Sequence, residues 1–239
     1  MIIGVSGLAG AGKDTVADYL VSNHGFVKIA LADPLKRICK DVFDFTDEQL
    51  WGPSEKRNEP DERYYRGTIV LRGRQVLEEE DQPPEECPQY LTPRHALQQL
   101  GTEWGRECYD NVWVDYALRV AKQILNDPLY NMYSQREGVV PQLEQTPQGE
   151  FQREDAPSGV IKGVVFSDIR FVNEINALRE ARAKLIRVKR PGYDRPLWNH
   201  PSETEQMSIK DEEFDVVLYN ENTKSELADT IAIVLKSLS

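Results

Sequence analysis

Apolar positions cluster in short runs separated by stretches of helical spacing. Ile2-Ile3-Gly4-Val5-Ser6 is apolar and rich in β-branched residues, the pattern of a strand buried on both faces. After it, Lys13 to Asn23 places Val16, Ala17, Leu20 and Val21 on one side of a predicted helix. Val27-Lys28-Ile29-Ala30 predicts a second strand. Asp33 and Pro34 then suit the cap and first position of a helix from Leu35 to Phe43, with Leu35, Ile38, Val42 and Phe43 on its apolar face. Thr92-Pro93-Arg94 opens another helix with Thr92 as cap, and a further helix is predicted from Val112 to Leu125. Val160 to Phe166 reads as a buried strand. A helix from Phe171 to Ala183, strands Lys184 to Val188 and Asp215 to Leu218, and a helix Lys224 to Leu238 complete the pattern. Strands alternating with helices predict an α/β fold with a parallel sheet covered on both faces.

Two stretches break the rhythm. Residues 52–92 are rich in Pro, Glu and Arg, with an acidic patch at Glu78 to Asp81 predicted to be partly ordered at best and a short hairpin near Gly67 to Leu77. Residues 126–159 also read as loop. The expectation is one domain over 1–239 with insertions at about 52–92 and 126–159. The chain has 239 residues, within the range of one large domain or two small ones.

Charge narrows the possible partners. With 29 basic and 40 acidic residues the net charge is −11, which argues against a coat for nucleic-acid polymers but leaves room for a small basic pocket. No apolar run reaches the roughly 18 residues of a membrane span, and the N-terminus lacks the layout of a signal peptide. The three cysteines, Cys39, Cys87 and Cys108, form no CxxC pair and read as reduced thiols, so a cytoplasmic protein away from membranes is expected.

Gly7-Leu8-Ala9-Gly10-Ala11-Gly12-Lys13 fits GxxxxGK between a predicted strand and a predicted helix, the context a phosphate-binding loop requires. Its backbone N–H groups and the helix N-terminus would face phosphate oxygens, and Lys13 would span the β- and γ-phosphates of a nucleotide. The binding set is therefore Ala9, Gly10, Ala11, Gly12, Lys13, Asp14 and Thr15. The residue after the lysine is Asp14 where Ser or Thr is usual, so Asp14 and Thr15 are the candidate Mg²⁺ ligands. No NKxD base-reading motif is present. Cations at strand and helix ends (Lys36, Arg94, Arg106, Arg170 and Arg190) suit phosphoryl transfer, which is largely positioning and charge neutralisation.

These stretches resemble the phage-type deoxynucleoside monophosphate kinases of the P-loop kinase fold. The resemblance rests on GLAGAGKDT (7–15), LADPLK (31–36), TPRHALQQLGTEWGR (92–106), NVWV (111–114), SDIRFVNE (167–174), RVKRPG (187–192) and HPSE (200–203). GKDT is the loop form that family uses. The resemblance implies a three-layer fold with lid and acceptor insertions, and ATP and Mg²⁺ as donor and metal. It implies a deoxynucleoside 5′-monophosphate as acceptor, held by Lys36, Arg94, Gln98, Gly101, Thr102, Arg106, Trp113 and Glu174. It implies Asp168 and Arg170 beside Lys13 in catalysis, and Arg190 on the donor. It gives no derivable role to His200 and Glu203. If phage-encoded, the protein would work in the host cytoplasm. The long segments could be lids, a homodimer surface or disordered loops. The rival readings are another small-molecule P-loop kinase, of the dephospho-coenzyme A or phosphomevalonate type, and a nucleotide-binding module without transfer activity.

Overall fold

The computed structural model describes residues 1–8, 10–66, 69–72, 75–78, 90–126, 161–192, 201–221 and 224–238. These fall into two compact units, one built from Met1–Asp33 and the residues after Glu107, the other from Pro34–Glu107.

The first unit holds the sheet. Its strands are β1 (Ile2–Ser6), β2 (Phe26–Ile29), β5 (Gly163–Ile169), β6 (Lys184–Lys189) and β7 (Val216–Tyr219), in spatial order β2-β5-β1-β6-β7 and all parallel. Register pairs include Ile3 with Val165 and Gly4 with Leu185. Because side chains alternate along a strand, each strand feeds two cores. On one face, Ile3, Val5, Val165, Ile186 and Leu218 pack with Val16, Ala17 and Leu20 of α1 (Lys13–His24) and with Leu227, Ile231 and Val234 of the C-terminal α8 (Lys224–Leu238). On the other, Val27, Val164, Phe166 and Leu185 meet α5 (Val112–Asn126) and α6 (Val172–Glu180), through Val114, Ala117, Ala121, Ile175 and Leu178. The result is a three-layer α/β arrangement, with the parallel sheet between two layers of helices. Gly4 faces α6, where an added Cβ would lie 2.8 Å from Leu178 Cδ1 and 2.9 Å from Leu185 Cδ2. The helix therefore sits against bare backbone.

The second unit contains α2 (Asp33–Phe43), which starts at the boundary, α3 (Asp47–Trp51) and a 3₁₀ turn (Ser54–Asn58). The hairpin β3–β4 (Ile69–Arg72, Gln75–Glu78), α4 (Pro93–Gln98) and a π-helical stretch (Gln99–Arg106) follow. Its core is Cys39, Phe45, Leu50 and Ala96, flanked by Phe43 and Tyr64. Phe43 stacks on Phe45 at 5.3 Å, and Tyr64 meets both rings edge-on. Arg63 donates to Asp61 at 2.8 and 2.9 Å, and those hydrogen bonds hold the Asp61 carboxyl down to about 2.

Several sequence expectations shift. The predicted face of α2 turns: Leu35 and Cys39 are buried, whereas Ile38 and Val42 are 38% and 67% exposed. Leu35, Cys39 and Phe43 are spaced i, i+4, i+8, and Ile38 and Val42 lie off that stripe. The predicted strand 160–166 runs instead from Gly163 to Ile169, because a register shift between Gly4 and Ser6 lets Ser6 pair with Ile169. Asp168 is thus inside the strand rather than after it. The helix predicted to reach Ala183 ends at Glu180, where Arg182 turns with φ 58°. The hairpin lies two residues later in sequence than its predicted start. Two helices went unpredicted, α3 and α7 (Pro201–Ser208). Thr92 caps α4 as expected, accepting the His95 N–H at 3.1 Å. The acidic segment after Glu78 and the loop expected at 126–159, from residue 127 on, lie outside the described residues. Among the described residues, no helix is long and apolar enough to cross a membrane.

Candidate functional site

Parallel α/β sheets bind ligands beyond the carboxyl ends of their strands, where neighbouring connections leave in opposite directions. Here β1 is central, with β5 on one side and β6 on the other, and the loop leaving β1 is the glycine-rich one. Gly10 and Gly12 have φ of 80° and 102°, a region L side chains rarely adopt, so the loop curls in a way that glycine permits. The Ala11 N–H closes the turn onto Leu8 O at 3.1 Å. The Gly12 carbonyl accepts the Val16 N–H at 3.1 Å and starts α1. Gly12 caps α1 with no side chain, so the helix presents its first N–H groups and positive dipole end directly after the curl. Lys13 is the first residue of the helix. Ala9 lies outside the described residues.

Asp14 sits among cations. Its carboxylate is 3.6 Å from Lys13 Nζ and 3.2 Å from Lys28 Nζ, and Lys28 also reaches Asp18 at 2.9 Å. Burial pushes the Asp14 carboxyl up, but Lys13 and Lys28 outweigh it and hold the group below the ordinary carboxylate range. Burial likewise opposes the charge of Lys28, and Asp14 and Asp18 outweigh it and raise its pKa. Thr15 is half-buried in the same turn. Among the described residues no group of three or more His, Cys, Asp or Glu forms a metal cage. A phosphate-bound Mg²⁺ needs less, since one carboxylate plus phosphate oxygens and waters suffices, and the Asp14 carboxylate at the loop fits that donor set.

The other predicted residues of this unit line the same end of the sheet. Asp168 accepts the N–H groups of Leu31 and Ala32 at 2.9 and 3.4 Å, tying the exit of β2 to β5. Arg170 opens the turn into α6. Glu174, 8% exposed, accepts the Arg170 N–H at 2.7 Å and the Phe171 N–H at 3.0 Å, so its carboxylate caps α6. Arg190, after β6, reaches Gly10 O at 3.4 Å, and a cleft beside the loop is lined by Leu8, Ala11, Arg187, Val188, Lys189, Arg190 and Met207. Trp113 is half-buried on α5. Glu203 lies in α7, whereas His200 is outside the described residues. That helix is fastened by buried Gln206, which donates to Ser6 Oγ at 2.9 Å and Ile169 O at 3.2 Å, and by Glu205, which accepts the Val172 N–H at 3.0 Å.

The second unit gathers the remaining candidates. Lys36 lies over the Trp51 ring, 5.6 Å from its centre. Arg94 donates to Asn58 Oδ1 and to Ser54 Oγ, the latter at 2.7 Å, so the 3₁₀ turn holds it. Gln98 ends α4, and Gly101, Thr102 and Arg106 lie in the π-helical stretch, a rare geometry often found at functional sites. Gly101 is buried against Leu35, one residue before Lys36.

Sequence reasoning missed Lys28, Trp51, Gln206 and Asn220. Asn220 donates from its side chain to Ala11 O at 2.9 Å. The residues that reach the loop do so from distant strands, and no local pattern marks them.

No family model matches the sequence. A curated protein of Acanthamoeba polyphaga mimivirus, named "Putative deoxynucleotide monophosphate kinase", is 31% identical over 231 residues, covering 97% of this chain and 94% of its own length. A crystal structure of TT1252 from Thermus thermophilus aligns with all of this chain and 98% of its own at 18% identity, with a TM-score of 0.42.

Proposed function

The chain belongs to the deoxynucleotide monophosphate kinase family, and from that membership we propose that it transfers the γ-phosphoryl group of ATP to a deoxynucleoside 5′-monophosphate, giving dNDP and ADP. The observation that carries the reading is the loop: left-handed Gly10 and Gly12 leading straight into the N-terminus of α1, with Lys13 at its first position.

In this reading the loop amides and Lys13 hold the triphosphate, and Arg190 attends the donor. Lys36, Arg94 and Arg106 neutralise the acceptor phosphate, and Gln98, Thr102 and Trp113 contact its base and sugar. An acceptor phosphate oxygen forms the new bond to the γ-phosphorus as the bond to the bridging oxygen breaks, and ADP leaves with that electron pair. The attacking oxygen is already ionised at neutral pH, so no strong base is needed. Arg170 stabilises charge on the moving group. Asp168 acts by fixing the turn after β2, through the N–H groups of Leu31 and Ala32. Glu174 holds the Arg170 backbone in place, a positioning part. Asp14 with Thr15 would hold Mg²⁺, which supplies charge neutralisation on the phosphates when bound.

Steady-state kinetics of two variants test the assignment. Lys13→Ala abolishes transfer. Arg94→Ala raises the monophosphate KM by tenfold or more, the order expected for one charge-assisted contact, and leaves the ATP KM within about twofold. Equal effects of Arg94→Ala on both KM values would contradict the assignment.

A further inference from the structure

We propose that Asn220, some two hundred residues beyond the glycine loop, is a positioning residue that sets one of the loop's phosphate-binding N–H groups. The proposal rests on the kinase reading above and adds to it a residue outside every motif that suggested it.

The main chain of Asn220 is fixed by the sheet. Its N–H donates to Lys189 O at 2.7 Å, one step beyond the pairing of Lys189 with Tyr219, so the β6–β7 ladder continues through it. Its side-chain Nδ2 then donates to Ala11 O at 2.9 Å. The peptide unit joining Ala11 to Gly12 is planar and trans, so its C=O and N–H point in opposite directions. Holding the Ala11 oxygen against Asn220 therefore turns the Gly12 N–H away from the β7 end, at the start of the run of N–H groups that opens α1. The next peptide unit is held as well, because the Gly12 carbonyl accepts the Val16 N–H at 3.1 Å. Both peptides flanking Gly12 are thus locked before any ligand arrives, which is what preorganised binding of an anion requires.

Residue 12 and residue 220 also fit each other. A Cβ built on Gly12 would lie 2.5 Å from Asn220 Nδ2. Together with the φ of 102°, this leaves room at position 12 for glycine alone while Asn220 keeps its bond. The atom facing the Ala11 carbonyl has to be a donor. An aspartate of the same shape would oppose oxygen to oxygen and add negative charge beside the loop.

The test is calorimetric titration of the full chain and its Asn220→Ala and Asn220→Asp variants with ATP and, separately, with inorganic tripolyphosphate, which has neither base nor sugar. Asn220→Ala should weaken both ligands by the same factor, about three- to tenfold, the worth of one neutral hydrogen bond. Asn220→Asp should weaken both more, with the monophosphate KM within about twofold of the parent in either variant. Because Asn220→Asp preserves size and shape, it carries the test if Asn220→Ala loses its fold. Undiminished binding of both ligands in the variants, with a parent chain that binds ATP and transfers phosphate, would overturn the proposal and leave the kinase reading intact. A loss confined to ATP would also overturn it, by making Asn220 a nucleoside contact. A parent chain that binds neither ligand would overturn both.

Discussion

Asp14 shows how far a single residue can be read from its neighbours in sequence. The GKDT stretch puts a carboxylate next to the phosphate-loop lysine, and a metal ligand is the natural reading. The structure adds Lys28, which arrives from β2 and shares Asp14 with Lys13. Nothing local in Val27-Lys28-Ile29 marks that lysine, since its alternation fits any strand with one side chain turned outward. The same holds for Glu174: its spacing from Arg170 is legible, but its burial and its bonds to two backbone N–H groups are not. Because Lys13 and Lys28 hold the folded Asp14 pKa below its unfolded value, the stability this group contributes is present above the unfolded pKa and lost as pH falls through the folded one. Lys28→Met removes one of the two cations, so Asp14 should titrate at higher pH in the variant. Carboxyl-carbon NMR across the acid range checks this, and an unchanged titration would mean that Lys28 is not a partner in solution.

At the level of elements, the strands were the most legible part. Buried parallel strands are nearly continuous apolar runs, and β1, β6 and β7 stand within a residue or two of where such runs predict them. β5 extends past its apolar run because Ile169 pairs with Ser6 across an irregular step that takes in Ser167 and Asp168. The short helices were missed although their signals are present. Thr46 and Gln49 form a reciprocal capping box for α3, and Pro201 with acidic residues after it marks the start of α7. Five to eight residues give too little periodicity to stand out. Gly4 is the element-scale test of the three-layer packing. Gly4→Ala pushes a methyl group into Leu178 and Leu185 and should destabilise the protein by about 1–3 kcal/mol, read as a lower urea midpoint at unchanged slope. A midpoint equal to that of the parent would show that α6 does not lie so close to β1.

For the molecule as a whole, the candidate chemistry is divided between two units. The glycine loop, Asp168, Arg170 and Arg190 belong to the unit with the sheet, and Lys36, Arg94, Gln98, Thr102 and Arg106 to the other. In the proposed function, a protein of net charge −11 sets these cations aside for phosphorylated small molecules. ATP should stabilise the folded state by mass action, by about 2.7 kcal/mol at a hundred times its dissociation constant, and raise Tm in a concentration-dependent way. Lys13→Ala should lose most of that rise, which differential scanning calorimetry can read. The most direct test of the central claim is product formation from ATP across dAMP, dGMP, dCMP and dTMP, with dephospho-coenzyme A and phosphomevalonate alongside. The account predicts ADP and the matching deoxynucleoside diphosphate from at least one of the four monophosphates and no product from the other two acceptors; ATP bound without ADP formed from any monophosphate, or transfer to one of those two acceptors instead, would contradict it.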